Sequence, residues 1–521
     1  MRLFLVAMDN RFQSFPLSMS LLADYVQQRG GSRVISRILV ANNGLAAVKG
    51  IRSLRRWCAD TFNDSGILTF VAMVTPEDIN SNAEYISLAN EVVEVGGEAN
   101  YNNYANVDVI IECAKRARVH AVWAGWGHAS ENPELPRKLS ELMPPIQFIG
   151  PGCRAMRDLG DKIGSTVLAQ SVGVPCVPWS GSGVTCDYSK EGITQEMCDR
   201  CCITTLEQAH AAAQKIGFPL MVKASEGGGG KGIRKVMREE ELDAGFRQVT
   251  SEVSGCHVFL MKMATGMRHL EMQVLADQHG EAISLWGRDC SVQRRHQKIL
   301  EEGPIVAATD SECRAMEICA VKLAKAVGYC GAGTIEFLYG QGQFFFLEMN
   351  PRLQVEHPVS EMITGLNIPA VMLLIACGVP LNRINAVTDI FHPDGNGHLP
   401  PRPSIAPLCH CIAARITAEN ADAGFRPNTG AVTQLKFRSS PDVWGYFSVM
   451  GSGSVHEYAD SQIGHIFAHG KTREDARRSL VLALKELVTR GDIRTTTEYL
   501  VWLCNQQRYV GDCDACFTAH V

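Results

Sequence analysis

Four short apolar runs, at 37–41, 67–74, 120–124 and 146–149, are separated by stretches whose apolar residues recur at helical spacing. The first run, Arg-Ile-Leu-Val-Ala, stops at Asn42-Asn43-Gly44, and Leu45, Val48, Ile51 and Leu54 then fall on one helical face. Strand, tight turn and helix repeated in this order leave few arrangements. The strands must lie parallel, with helices covering both faces of the sheet, which predicts a Rossmann-like lobe. A chain of 521 residues also exceeds what one core organises, so further lobes must follow.

Beyond that lobe, residues 178–202 are rich in Ser, Gly, Thr and Cys without periodicity and read as a surface insertion. Strands and short helices resume from Phe218 to about Leu347, and 360–377 reads as helical. The apolar run 368–380 is broken by Pro369 and too short to cross a bilayer, so it reads as a buried helix and no membrane span is expected. Residues 391–407 form a Pro/Gly/His-rich loop into a last lobe, where Ala476, Leu480, Leu484 and Leu487 mark an amphipathic helix.

Composition narrows the function classes. Apolar residues at 46% and charged residues at 20% are ordinary for a soluble globular protein, and a net charge of −5 offers no basic field for nucleic acid. Residues 3–8 are apolar but are followed at once by Asp9, without a cleavage pattern for secretion. Among 19 cysteines, Cys198, Cys201 and Cys202 with Cys513 and Cys516 make Cys-x-x-Cys pairs, but no His stands at finger spacing. The cysteines read as reduced thiols of an intracellular protein, expected in the cytoplasm, with a plastid as the alternative.

Three segments carry chemistry. The strand-like run from Phe218 holds Lys223 and ends in four glycines, Gly227, Gly228, Gly229 and Gly230, whose backbone amides can close over phosphate oxygens. This is not a Walker A loop, because Gly232 rather than Ser or Thr follows Lys231. Next, two apolar runs flank Tyr339-Gly340-Gln341-Gly342 and predict a hairpin that brings Glu336 near Glu348. Two carboxylates and the Asn350 oxygen suit a magnesium ion on nucleotide phosphates. Beyond Glu348, alternate positions Asn350, Arg352, Gln354 and Glu356 would face one side of an extended segment. Finally, Arg288 to Glu302 is a basic run in an acidic protein, either a solvated face or an anion clamp. In a clamp, Lys298 supplies charge to a phosphoryl group or bicarbonate, and Gln293 and His296 hydrogen-bond a sugar or phosphate.

Together these segments resemble the biotin carboxylase family from roughly Val34 to Val510. The runs GDK (160–162), KASEGGGGKG, RHLE (268–271), RDCSVQRRHQK, LEMNPRLQVEHP and DSQIGHIF (460–467) stand in the family's order. Residues 122–133, Phe437-Arg-Ser-Ser and Val443-Trp-Gly-Tyr446 look like the eukaryotic acetyl-CoA carboxylase branch. The resemblance implies an α/β protein with an ATP-grasp fold. Residues 1–33 would be an N-terminal extension, 34–160 the Rossmann-like N-terminal lobe and 161–380 the ATP-grasp domain, with a lid at about 203–265. Residues 381–521 would form the C-terminal biotin carboxylase lobe.

It further implies that Lys162, Lys223, Gly227 to Gly230, Lys262, His269, Gln293, His296 and Leu338 surround ATP. Glu336, Glu348 and Asn350 would hold Mg²⁺ or Mn²⁺, and Lys298, Arg352, Gln354, Val355 and Glu356 would surround bicarbonate. Glu356 would be the base, with Lys298 and Arg352 as the other catalytic groups. The implied substrate is biotin on a carrier domain, within the first half-reaction of acetyl-CoA carboxylase, which makes malonyl-CoA for fatty acid synthesis. Carrier and carboxyltransferase domains would be partners, and the unit alone is expected to be monomeric. Met261-Lys262-Met263 imitates a biotin attachment site but lacks the surrounding small β-sandwich, so no biotin is expected on this chain.

Some residues depart from the family. Cys409-His410-Cys411 replaces a Gly-His-Cys, Gly50 and Gly164 replace larger residues, and Arg438 is the candidate for the arginine that stabilises the biotin enolate. After about Val510 the family pattern ends without carrier or carboxyltransferase regions. The alternatives are another biotin-dependent carboxylase, an ATP-grasp ligase joining a carboxylate to an amine, or a catalytically silent regulatory fragment.

Overall fold

The computed structural model describes residues 15–225, 232–253, 255–295 and 297–506. Gly227 to Gly230, His296, Cys513 and Cys516 lie outside the described residues.

In the first lobe the five strands Glu91–Glu94, Thr69–Val74, Arg37–Val40, Ala121–Trp123 and Gln147–Phe148 lie side by side in that order, all parallel. Strand alternation explains how both faces are buried. Ile38, Val40 and Ala72 join one apolar cluster and Leu39, Val71 and Met73 another. Glu91–Glu94 has no counterpart among the four apolar runs. It is an edge strand with a glutamate at each end, so its pattern is too short and too charged to stand out.

The second sheet has nine strands. Its main path runs Gln343–Asn350, Gly331–Gly340, Arg268–Ala276, Arg288–Asp289, Leu300–Gly303, His410–Thr417, Gln462–Gly470 and Val443–Phe447. It continues unbroken from the hairpin that carries Glu336 and Glu348 into the C-terminal third of the chain, because Leu300–Gly303 pairs with His410–Thr417. A smaller antiparallel sheet of Leu220–Ala224, Ile233–Val236 and Val258–Lys262 packs against helices Leu206–Ile216 and Leu242–Glu252.

Residues 178–202 are not a loose surface insertion. Trp179, Val184, Met197 and Cys201 are buried against Phe259 and Met261, so large side chains scattered among Ser and Gly anchor the segment without periodicity. The helix Ile368–Ala376 is buried throughout, with Pro369 in its first turn, where the missing N–H costs nothing. Among the described residues no single helix is long and apolar enough to cross a membrane. The helix Arg473–Glu486 buries Ala476, Leu480 and Leu484, with a capping box between Thr472 and Asp475. Gly50 and Gly164 also have a packing reason. A β-carbon would come 2.6 Å from the Trp123 indole nitrogen at Gly50 and 2.8 Å from the Asp158 carbonyl oxygen at Gly164.

Candidate active site

The predicted hairpin is Gly331–Gly340 with Gln343–Asn350, closed by Gln341 and Gly342, both at positive φ, a two-residue turn suited to strand twist. In its register Glu336 lies opposite Glu348, and on the other side opposite Glu271 of Arg268–Ala276, which in turn faces Arg288. Directly opposed residues share a face. Arg288, Glu271, Glu336 and Glu348 therefore form one charged row across four strands.

Buried like charges in such a row require cations between them. Lys298 meets the need, its Nζ donating to Glu271 Oε2 at 2.6 Å, Glu336 Oε1 at 2.8 Å and Glu356 Oε1 at 2.7 Å. Its three protons are thereby all used. Arg288, wholly buried, donates to Glu271 (2.6 Å), Gln273 (2.9 Å) and Ser360 (2.8 Å). Glu336 also accepts from Asn350 at 3.0 Å and Gln354 at 2.9 Å and is ion-paired with His269.

The charge states follow from these contacts. Burial alone would raise Glu336 and Glu356, but Lys298 beside both, His269 beside the first and Arg415 beside the second hold them below the usual carboxylate range. Burial likewise works against Lys298, and the three carboxylates overcome it, keeping the ammonium charged. Glu348 goes the other way, raised by burial and by the Glu336 charge against the pull of Lys162 and Lys223. Lys223 is lowered by burial despite Glu348. The region around Glu348 is therefore short of positive charge, and a divalent cation held by Glu336, Glu348 and the Asn350 oxygen fits that deficit.

Most of the expected residues converge here. Leu338 lies opposite His269 in the strand register, and Gln293 Nε2 is 3.1 Å from His269 Nδ1. Lys162 Nζ donates to the Ser225 carbonyl at 3.4 Å, at the foot of the 226–231 segment. Lys262 stands apart, its Nζ donating to the Gly217 and Phe218 carbonyls at 3.1 and 2.7 Å. Arg352 turns toward the first lobe, with Nε 3.2 Å from Glu131 Oε1 and Nη2 3.4 Å from Asn350 Oδ1. Val355 packs its side chain on the large apolar cluster.

One expectation changes. The row Asn350, Arg352, Gln354, Glu356 is not one edge of an extended segment. The strand ends at Asn350, the chain turns after Pro351, and Glu356 immediately precedes helix His357–Thr364 without a side-chain capping bond. Asn350 and Gln354 still reach the same Glu336 oxygen, because the turn brings them back over it. Of the two readings left open for the basic run 288–302, the solvated face fits Arg295 and Gln297, which are exposed, but not Arg288 and Arg294, which are buried, the latter paired with Glu419.

The sequence reading missed Glu271, Arg288, Glu131, Glu301 and Arg415 as site residues. Glu271 ends the RHLE run, but His269 beside it took the expected role, and only the strand register shows that Glu271 faces both Glu336 and Arg288. Arg415 is the sole charge in His410–Thr417 and could have been suspected for that reason. Its Nη2 donates to Glu356 Oε2 at 3.0 Å. Arg438 is exposed on the segment after Gly430–Lys436.

Comparison with known proteins agrees with this arrangement. Residues 34–156 match the family described as "Biotin carboxylase, N-terminal domain", 190–384 "Carbamoyl-phosphate synthase L chain, ATP binding domain" and 413–515 "Biotin carboxylase C-terminal domain". The acetyl-CoA carboxylase of Dictyostelium discoideum is 55% identical over 93% of the chain, and that of Saccharomyces cerevisiae 51% identical over 95%. The chain spans only 22% and 23% of those relatives. Among solved structures, the biotin carboxylase domain dimer of Hydrogenobacter thermophilus 2-oxoglutarate carboxylase, complexed with MgADP, ADP and bicarbonate, aligns with a TM-score of 0.79. It is 30% identical, over 94% of this chain and 97% of that one. A Campylobacter jejuni biotin carboxylase in a β-γ-ATP complex gives 31% identity, 92% and 97% coverage and a TM-score of 0.79. With the site assembled from the same segments that carry the likeness, this chain belongs to the biotin carboxylase family and has its ATP-grasp fold.

Proposed function

We propose that this chain carboxylates biotin, using MgATP and bicarbonate, as the first half-reaction of an acetyl-CoA carboxylase that forms malonyl-CoA. The observation that carries this reading is the placement of Glu356. Its carboxylate lies between Lys298 and Arg415, one lysine away from Glu336 of the proposed metal site.

In this reading Lys162, Lys223, Lys262, His269, Gln293, His296, Leu338 and the four glycines bind ATP. Glu336, Glu348 and Asn350 hold Mg²⁺ or Mn²⁺, which neutralises charge on the phosphates when bound. Lys298, Arg352, Gln354 and Val355 hold bicarbonate. Glu356 takes the bicarbonate proton while a bicarbonate oxygen attacks the γ-phosphorus. The bond from that phosphorus to the bridging oxygen breaks, ADP leaves with its electron pair, and carboxyphosphate forms. Carboxyphosphate decays to CO₂ and phosphate, the phosphate removes the biotin N1′ proton, and N1′ attacks CO₂.

A carboxylate held by two cations is a poor base. The arriving bicarbonate anion takes a share of Lys298, and Glu356 regains basicity as its substrate binds. Biotin would arrive on a carrier domain, with a carboxyltransferase domain as the onward partner. The unit alone is proposed to be monomeric.

The test is ATP cleavage by the chain with and without free biotin and bicarbonate. Cleavage that needs bicarbonate and rises with biotin is expected. Cleavage indifferent to both would refute the assignment, and cleavage that needs a carboxylate and an amine instead would favour the ligase alternative.

A further inference from the structure

Behind Glu356 lies a buried relay that the proposed chemistry does not itself require. Strand register explains it. Arg415 and His465 are directly opposed across His410–Thr417 and Gln462–Gly470, while Glu301 opposes Ala413, two residues from Arg415. The side chains of 301, 415 and 465 therefore share one face of the sheet. Arg415 Nε donates to Glu301 Oε1, and His465 Nε2 lies 3.2 Å from Glu301 Oε2. Arg415 Nη2 reaches Glu356 Oε2 at 3.0 Å, and Lys298 takes Glu356 Oε1 at 2.7 Å. Each oxygen of both carboxylates thus has its own partner, and the line His465, Glu301, Arg415, Glu356, Lys298 is continuous.

Stability alone does not account for this line. Glu301 and His465 are fully buried, Glu356 nearly so, and their neighbours Ile412, Ala413, Ala414 and Ile416 are buried and apolar. Replacing a buried ion network by apolar residues of similar volume is often neutral or stabilising, so a position that needed only packing would not need these charges. A carboxylate fixed through both oxygens cannot rotate. Its proton-accepting lone pairs then keep one direction, which a base needs more than a packed core does. His465 is held in turn, its ring 4.2 Å from Phe467 between centroids.

We propose that Arg415 is a positioning residue for Glu356, aligned by Glu301 and His465, and that this relay holds the base in line for bicarbonate. The inference rests on the proposed function. Its test is single-turnover ATP cleavage, with enzyme in excess, measured against bicarbonate concentration for wild type, Glu301→Gln and Arg415→Lys. Glu301→Gln is isosteric and can still accept from Arg415, but removes the charge that orients it. Arg415→Lys keeps the charge but has one ammonium for two carboxylates. Each should lower the maximal rate about ten- to a hundredfold, as loss of outer-shell orienting partners does elsewhere, with Arg415→Lys the worse. MgATP affinity should stay within about twofold of wild type, because no ATP-binding group is touched.

A purely structural role would instead lower the melting temperature and leave the rate per folded molecule unchanged. That result in Glu301→Gln overturns the proposal, as does a loss confined to MgATP affinity. Should Arg415→Lys not fold, Glu301→Gln decides alone. A wild-type chain with no bicarbonate-dependent cleavage refutes the proposed function as well, whereas an active wild type matched by both variants refutes only the relay.

Discussion

Glu356 is a buried carboxylate and Glu348 a half-buried one, yet burial and neighbouring charge push their proton affinities in opposite directions. That contrast separates a base held ionised by Lys298 and Arg415 from a ligand waiting for a cation. Glu356→Gln should leave MgATP affinity within about threefold of wild type but reduce bicarbonate-dependent turnover by about a hundredfold or more, since an amide can hold bicarbonate and cannot take its proton. Lost ATP binding with normal turnover of bound ATP would remove Glu356 from this role. Glu348→Gln should shift the Mg²⁺ titration of ATP cleavage to about tenfold higher concentration. A titration curve that overlays wild type would show that Glu348 is not a ligand. At this scale the sequence was legible where one short segment supplies several groups, as 336–356 does. It was opaque to the strand pairing that lets Glu271, Glu301 and Arg415 complete the site.

The strands and helices that carry these groups were readable to the extent that each has its own period. The hairpin around Gln341-Gly342 and the helix Arg473–Glu486 follow from local pattern, and so does the parallel sheet. The turn after Asn350 does not, because Pro351 and the helix start at His357 redirect a segment whose alternation looks strand-like. Helix Asp310–Ala326 offers a separate test of burial. Its Glu317 sits 3.0 Å from Arg402 of the long connecting loop, yet burial outweighs that partner and raises its pKa to about 7. A folded pKa above the unfolded value means that the native state binds the proton more tightly. This contribution is fully present below about pH 4.5 and is lost as pH rises through 7. Unfolding by denaturant should show wild type losing on the order of 1–3 kcal/mol relative to Glu317→Gln between those limits. Parallel stability curves for the two proteins would mean that Glu317 is ionised throughout.

Across the whole molecule, the nine-stranded sheet joins the hairpin of the proposed metal site to the strands that hold Arg415 and His465. Other contacts tie the first lobe to the rest. Lys49 pairs with Glu361 at 2.6 Å just beyond the base, and Asp78 lies 3.3 Å from His456. The lobes were legible in the sequence as separate runs of pattern, but this continuity was not, since pairing of 300–303 with 410–417 leaves no local trace. If the unit is monomeric as proposed, sedimentation at low micromolar concentration should show one species near 57.0 kDa, and a stable dimer would contradict that proposal. The central claim is that bicarbonate, not water, attacks the γ-phosphorus. Cleavage of ATP with ¹⁸O-labelled bicarbonate in unlabelled water tests it most directly. One labelled oxygen should appear in each phosphate released, because the attacking oxygen stays on phosphorus when carboxyphosphate decays, and phosphate without label would contradict the mechanism.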